Sequence, residues 1–263
     1  MKSEASLETL TLLFKLCNNL IGDENIKIIF EFGARYGEDT VQFAIKYPHA
    51  TIYTFECNPN TLPICKQNIS EFKNIILTER AVSDQDGEIS FFSIDKEKTI
   101  TSWEDGNQGA SSLFKASKKY PVENYVQKEI KVESITLKTF MKNNDIENID
   151  ILWMDIQGAE LLALKGLENK LNNVKIIHLE VEFLKIYLRQ PLFQNVKKFF
   201  KNKEFSFLGF TSKNIYSADA VFANNNYCNF KENGISLIKE DNYFIKEIFF
   251  VWKLVKKLAK KIN

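Results

Sequence analysis

The stretch IDILWMDIQGAELLALKGL, residues 149–167, limits the possible folds more than any other part of the chain. It opens as an apolar run of strand length, broken only by Asp150. A run without alternation reads as a strand buried on both faces, the usual state inside a parallel sheet. The run ends at Asp155, turns at Gly158 and becomes a helical pattern from Ala159 to Leu171. Strand, tight turn and helix in that order make half of a βαβ unit.

The same alternation runs through most of the chain. KIIFEF (27–32), ATIYTFE (50–56) and NIILTERAVS (74–83) read as strands, with helices over 39–47 and 62–69. EISFFSI (88–94) alternates apolar and polar positions and should pair antiparallel, and KEIKVESI (128–135) returns to strand before a helix over 136–144. KIIHLEVEF (175–183) is followed by a helix over 194–203. FSFLGF (205–210) and SADAVFAN (217–224) have no helix between them and should close the sheet as an edge hairpin. Strands alternating with helices predict an α/β fold: a mostly parallel seven-stranded sheet with a C-terminal antiparallel hairpin and helices on both faces. No Pro/Gly/Ser tract interrupts it, so residues 25–225 read as one domain. Residues 1–24 add an N-terminal helix. The polar segment 95–127 reads as an insertion, and its part 102–125, with Ser111, Ser112 and Tyr120, as a lid over a substrate.

Charge and cysteine usage narrow the partners. Lys and Arg number 35 and Asp and Glu 34, a net charge of +1, which argues against a dedicated nucleic-acid binder. Cys17, Cys57, Cys65 and Cys228 form no CxxC pair, and only His49 and His178 are available as imidazole ligands. No zinc-like ligand spacing exists. Unpaired cysteines suit a reducing cytoplasm. The first residues carry Glu4 and Glu8 ahead of the apolar part, unlike a signal peptide.

Four stretches carry chemistry. In FEFGARYGEDT (30–40) a strand delivers Glu31 to a turn bracketed by Gly33 and Gly37, with Ala34 between them, and a helix follows. Glycines there let backbone approach a ligand, and the helix start offers free N–H groups. The G-x-x-x-G spacing is neither the dinucleotide fingerprint nor a P-loop. Glu56 ends the second strand, where a carboxylate can accept both hydroxyls of a ribose or simply favour a helix start. Together these two stretches specify a ribose-bearing cofactor on the first βαβ unit. Asp155 ends the strand of the opening stretch among apolar neighbours, which gives it no structural excuse; Glu160 lies in the first turn of a helix, which gives it one. His178, Glu180 and Glu182 share one face of their strand, so the two carboxylates are general-base candidates, whereas His178 reads as a core residue.

Taken together, the motifs resemble the FkbM family of S-adenosylmethionine (AdoMet)-dependent methyltransferases. The matching features begin with Glu31-x-Gly33-Ala34-x-x-Gly37 and Phe55-Glu56-x-Asn58-Pro59. Ala81-Val82-Ser83-Asp84 with Asp86-Gly87-Glu88, Ile135-Thr136-Leu137 and Asp155-Ile156-Gln157-Gly158-Ala159-Glu160 follow. Leu179-Glu180-Val181, Ile186-Tyr187 with Gln190-Pro191-Leu192-Phe193, and Asp219-Ala220-Val221-Phe222 complete the set, over roughly residues 25–225. The chain departs from the family at Met154, where many members have lysine, at Gln157 (often glutamate), at Arg35 (often asparagine) and at Cys57 (often proline).

The resemblance implies a class I methyltransferase (Rossmann-like) sheet and AdoMet as cofactor. It implies that Glu31, Gly33, Ala34 and Gly37 surround the methionine part, that Glu56 and Cys57 flank the ribose, and that Arg80, Ala81, Val82 and Ser83 border the adenine. Asp155 and Gln157 would reach the cofactor from the opposite strand. Asp155, Glu180 and Glu182 are then the catalytic candidates, and a divalent cation helped by Asp155 and Glu180 has room there, but no motif indicates one. The implied reaction is O-methylation of a hydroxyl, on a sugar of a surface glycan or another small molecule. A nucleic-acid or protein methyltransferase and a non-catalytic AdoMet-binding protein are the alternatives. No feature sets the oligomeric state.

The tail NYFIKEIFFVWKLVKKLAKKIN (242–263) differs from the rest. Phe244, Ile248, Val251, Val255, Leu258 and Ile262 form one helical stripe among six lysines and Glu247. Residues 240–263 therefore read as a basic amphipathic helix, suited to peripheral contact with the inner membrane face or to packing on protein.

Overall fold

Asp150, near the start of the opening strand, marks the amino edge of the sheet: its Oδ2 accepts the backbone N–H groups of Lys27 and Ile28 at 2.6 and 2.8 Å, and Lys175 pairs with its Oδ1 at 2.7 Å. The structure, a computed structural model, describes residues 4–230 and 236–239; the tail stripe over 244–263 lies outside the described residues. The strands are β1 (Ile28–Phe32), β2 (Thr51–Phe55), β3 (Ile75–Thr78), β4 (Ala81–Val82), β5 (Gly87–Ile94), β6 (Gln127–Ile135), β7 (Ile149–Met154), β8 (Val174–Glu182), β9 (Phe205–Lys213) and β10 (Ser217–Asn224). The helices are α1 (Glu4–Ile21), α2 (Glu38–Lys46), α3 (Leu62–Ile69), α4 (Leu137–Asn143), α5 (Glu160–Lys165) and α6 (Phe193–Phe200).

Seven strands form the main sheet in the order β3-β2-β1-β7-β8-β10-β9. All neighbours are parallel until β10, which pairs antiparallel with both β8 and β9. This is the seven-stranded class I methyltransferase layout with its edge hairpin. Every residue of β7 is buried, Asp150 included, as its almost unbroken apolar run requires. Alternate side chains feed two cores. Leu152 and Met154 pack with α4, α5 and α6 on one face; Ile151 and Trp153 pack with α1 and α2 on the other. The strand order reverses between β1 and β7, so their carboxyl ends diverge into a crevice at the switch point.

Two expectations change in detail. The strand expected over 74–83 divides at Glu79 and Arg80: β3 stays in the main sheet, while β4 joins β5 and β6 in a second, three-stranded sheet. The helix expected over 159–171 stops at Lys165 and resumes as a 3-10 turn over Glu168–Asn173. At Gly166 the Ser83 carbonyl approaches so closely that a Cβ would lie 2.3 Å from it. Among the described residues no helix is long and apolar enough to cross a membrane.

Candidate functional site

The carboxyl ends of β1, β2 and β7 open onto one cavity, at the sheet edge where open α/β folds bind ligands. Gly33, Arg35, Glu56, Cys57, Arg80, Asp155 and the apolar groups of Phe55, Val82, Phe91 and Leu113 line it.

The glycine turn is built by close approach. Gly33 has φ +83°, and a Cβ there would stand 1.9 Å from the Asp155 carbonyl oxygen. Only glycine lets the ends of β1 and β7 meet this way. Gly37, at φ +80°, packs against Ile69 of α3 and leads into α2. Glu56 then shapes the turn from the neighbouring strand. Its Oε2 accepts the Arg35 N–H at 2.6 Å, and its Oε1 accepts those of Cys57 and Asn58 at 2.8 and 2.7 Å. Burial pushes the Glu56 carboxyl up, and those three backbone bonds pull against it.

Asp155 is exposed at the end of β7, with Oδ1 accepting from Gln157 Nε2 at 2.7 Å. The same nitrogen donates to Glu180 Oε2 at 2.8 Å, and the Tyr187 hydroxyl lies 2.9 Å from Gln157 Oε1. Gln157 itself sits at φ +55°, a left-handed conformation that costs a non-glycine residue about 1–3 kcal/mol. Four acids face Asp155. The Glu180 and Glu182 carboxyls are raised well above the ordinary range, first by burial and then by neighbouring carboxylates. Burial, then Asp155, pushes Asp219 up to about 7. Glu160 rises to about 8, again chiefly by burial. Its Oε1 accepts the Ile156 and Gly158 N–H groups at 2.9 and 3.3 Å, so Glu160 ties the turn that follows β7.

The 95–127 insertion folds back over the cavity. Asp105 pairs with Arg35 at 2.5 Å and accepts from the Tyr36 hydroxyl at 2.9 Å. Burial would raise the Asp105 carboxyl, but these bonds outweigh it and leave it below its usual value. The Arg35 guanidinium also stands 5.0 Å from the Trp103 ring centre. Deeper in, Asn58 Nδ2 donates to Ser111 Oγ at 3.1 Å, and Asn60 Nδ2 to Gln108 Oε1 at 3.1 Å. Ser112 Oγ donates to the Gln157 carbonyl at 2.8 Å.

Of the residues singled out in the sequence, Gly33, Glu56, Cys57, Arg80, Ala81, Val82 and Asp155 line the cavity. The others lie elsewhere. Glu31 is buried beneath the turn, accepting from the hydroxyls of Thr40 and Thr54 at 2.5 and 2.9 Å. Ala34 and Gly37 pack against α3. Ser83 bonds its N–H to the Ile135 carbonyl, anchoring β4 to the second sheet. Gln157 and Glu180 stand behind Asp155, and Glu182 is buried beyond Glu180 on β8. His178 is fully buried, stacked on Trp153 at 4.1 Å, with Nε2 2.7 Å from Thr211 Oγ1; burial lowers it to about 3. Among the described residues no three His, Cys, Asp or Glu side chains are placed to hold a metal ion. The sequence motifs left Asp105, Asn60 and Gln108 without a role. The run Asp105-Gly106-Asn107-Gln108-Gly109 is a turn-rich signal that could have drawn attention to Asp105 and Gln108.

The chain is similar to several known proteins. It is 27% identical over 163 residues to the 2-O-methyltransferase NoeI of Sinorhizobium fredii (strain NBRC 101917 / NGR234), over 61% of this chain. The match covers 65% of NoeI, just under two thirds of its length. Among solved structures, it is similar to TrmK of M. capricolum in complex with S-adenosylhomocysteine. That likeness has a TM-score of 0.49 and 13% identity, covering 96% of this chain and 87% of that one. A second is methyltransferase FkbM of Methylobacillus flagellatus KT, with TM-score 0.44 and 10% identity over 75% of this chain and 43% of that one. Both structural likenesses fall below the level at which shape argues for shared chemistry. The methyltransferase FkbM domain matches residues 31–207, which span the glycine turn, Glu56 and the β7 turn. The chain belongs to the FkbM methyltransferase family.

Proposed function

We propose that this chain is an AdoMet-dependent O-methyltransferase whose acceptor is a saccharide hydroxyl. One observation carries the reading: a glycine turn, a β2-end carboxylate and a strand-end carboxylate with one oxygen free among the described residues meet in a single cavity at the sheet's switch point. The lining fits the cofactor. Glu56 lines the cavity, and its Oε2 accepts one backbone N–H where Oε1 accepts two, which makes Oε2 the oxygen that can meet a ribose hydroxyl. Ala81, Val82, Phe91 and Leu113 offer apolar walls for a planar base. The Gly33 turn gives a bare backbone edge where a chain can be approached closely.

AdoMet would supply an electrophilic methyl group. The protein's own part is then to orient the acceptor and to take its proton. Asp155 is placed to take that proton, since Oδ1 is held by Gln157 and the side chain is exposed on the cavity wall. The insertion, clasped through Arg35 and Asp105, would exclude water from the reacting atoms. Similarity to the 2-O-methyltransferase NoeI supports an oxygen as the acceptor atom. The free cysteines suit the cytoplasm as the setting, with the basic tail as a peripheral contact at the inner membrane face.

The test is mass spectrometry of host glycans with and without the gene, paired with S-adenosylhomocysteine release from a panel of saccharides. A methyl ether present only with the gene, and release with at least one saccharide, supports the reading. Release only with RNA or protein acceptors defeats it.

A further inference from the structure

Gln157 makes an unusual set of contacts for a half-buried glutamine at a sheet edge. Its backbone is left-handed, at φ +55°, a conformation that a glycine would adopt without strain. Its amide nitrogen has two protons, and both are spent on carboxylates: Asp155 Oδ1 at 2.7 Å and Glu180 Oε2 at 2.8 Å. Its amide oxygen faces the Tyr187 hydroxyl at 2.9 Å, and that hydroxyl also lies 2.8 Å from the Ala110 carbonyl. Asp155 fixes the amide's orientation: reversed, the amide oxygen would stand against that carboxylate with no proton between them. The Gln157 carbonyl accepts from Ser112 at 2.8 Å, so the insertion also grips this residue. One side chain thus joins the end of β7, the end of β8 and the segment carrying Tyr187.

We propose that Gln157 is a positioning residue: its amide, oriented by the Tyr187 hydroxyl, holds the Asp155 and Glu180 carboxylates on either side of one nitrogen and leaves Asp155 Oδ2 free toward the cavity. This rests on the reading of Asp155 as the acceptor's base. A neutral amide is the group that can do this. It meets both acids without adding another carboxyl to a crowded face, where Glu160 on α5, Glu182 on β8 and Asp219 on β10 already bear on Glu180, and Tyr120, Tyr125 and Tyr187 pack nearby. The left-handed backbone at position 157 is kept where its side chain makes three contacts.

The test reads Glu180 itself, by carbon-13 NMR titration of side-chain carboxyls in the full chain, with Glu180→Gln to assign the signal. Gln157→Gly removes the amide and leaves a residue suited to the backbone, so folding should be kept. Losing a donor to the ionised form raises the Glu180 midpoint, by about one pH unit. Tyr187→Phe removes the partner of the amide oxygen, loosens the amide and should move the midpoint the same way by less. A purely structural Gln157 would change the melting temperature and leave the midpoint in place. An unmoved or lowered midpoint in folded Gln157→Gly overturns the proposal, and Tyr187→Phe decides it if that variant does not fold. No methyl donor or acceptor enters the titration. Its failure therefore leaves the methyl-transfer reading standing, and failure of methyl transfer leaves the titration result intact.

Discussion

Position 33 shows how a single residue can hold a site open. A side chain there would meet the Asp155 carbonyl, which is backbone and cannot swing away. Gly33→Ala should therefore destabilise the fold by about 3 kcal/mol or more, read as a lowered midpoint in urea unfolding. Glu56 is a different case, because its carboxylate serves the turn and faces the cavity at once. Glu56→Gln keeps the shape but loses the charge and gives up acceptor capacity. One charge-assisted hydrogen bond is worth about 1.5–3 kcal/mol, so AdoMet affinity by calorimetry should fall about tenfold or more; unchanged affinity would remove Glu56 from the cofactor's contacts. Gly33, Glu56 and Asp155 were legible in the sequence because their roles follow from backbone geometry and strand ends. Gln157 was singled out there for a different reason. Its partners Glu180 and Tyr187 come from strands and turns far along the chain, and no local spacing announces that they converge.

At the scale of elements, β8 and β10 bring together acids that the strand pattern only partly revealed. Period two put Glu180 and Glu182 on one face, but Asp219 reaches them through the antiparallel pairing of β10, opposite Glu180. Asp219 is raised from an ordinary 3.8 to about 7 in the folded state. A carboxyl whose folded pKa is raised lends stability below its unfolded pKa and loses it as pH climbs through the folded one. Between about pH 4 and 7 this group should cost the fold stability as pH rises. His178 runs the other way: lowered to about 3, it stays neutral when folded, so stability is gained as pH rises from about 3 to 6.5. Urea unfolding of Asp219→Asn at about pH 5 and 7 isolates the first effect. The variant should lose less stability across that interval than the parent, and an equal loss would show that Asp219 is not raised. The split of the 74–83 strand was not legible, because β4 changes sheets only to pair with β6, some fifty residues later. The insertion's return over the cavity was legible as a long polar loop, but not its clasp, since Asp105 finds Arg35 only in three dimensions. Asp105→Asn should weaken that clasp, seen as faster amide hydrogen exchange across 101–112 with exchange in β7 unchanged.

For the whole molecule, the parallel order and edge hairpin follow from the alternation of strand and helix, and the switch point between β1 and β7 follows from that order. The site was therefore locatable before its contents were known: the carboxyl ends of β1, β2 and β7 had to meet a ligand if the chain bound one. What topology leaves open is the acceptor, because the walls beyond Asp155 come from the insertion and from the segment around Tyr187 rather than from the sheet. The most direct measurement is transfer from AdoMet carrying an isotope-labelled methyl group to a panel of saccharides, comparing the full chain with Asp155→Asn. The account predicts a labelled methyl ether on a sugar oxygen, lost by at least about a hundredfold in Asp155→Asn while AdoMet binding by that variant is retained. Label found on nitrogen, or transfer by Asp155→Asn at the parent rate, would contradict it.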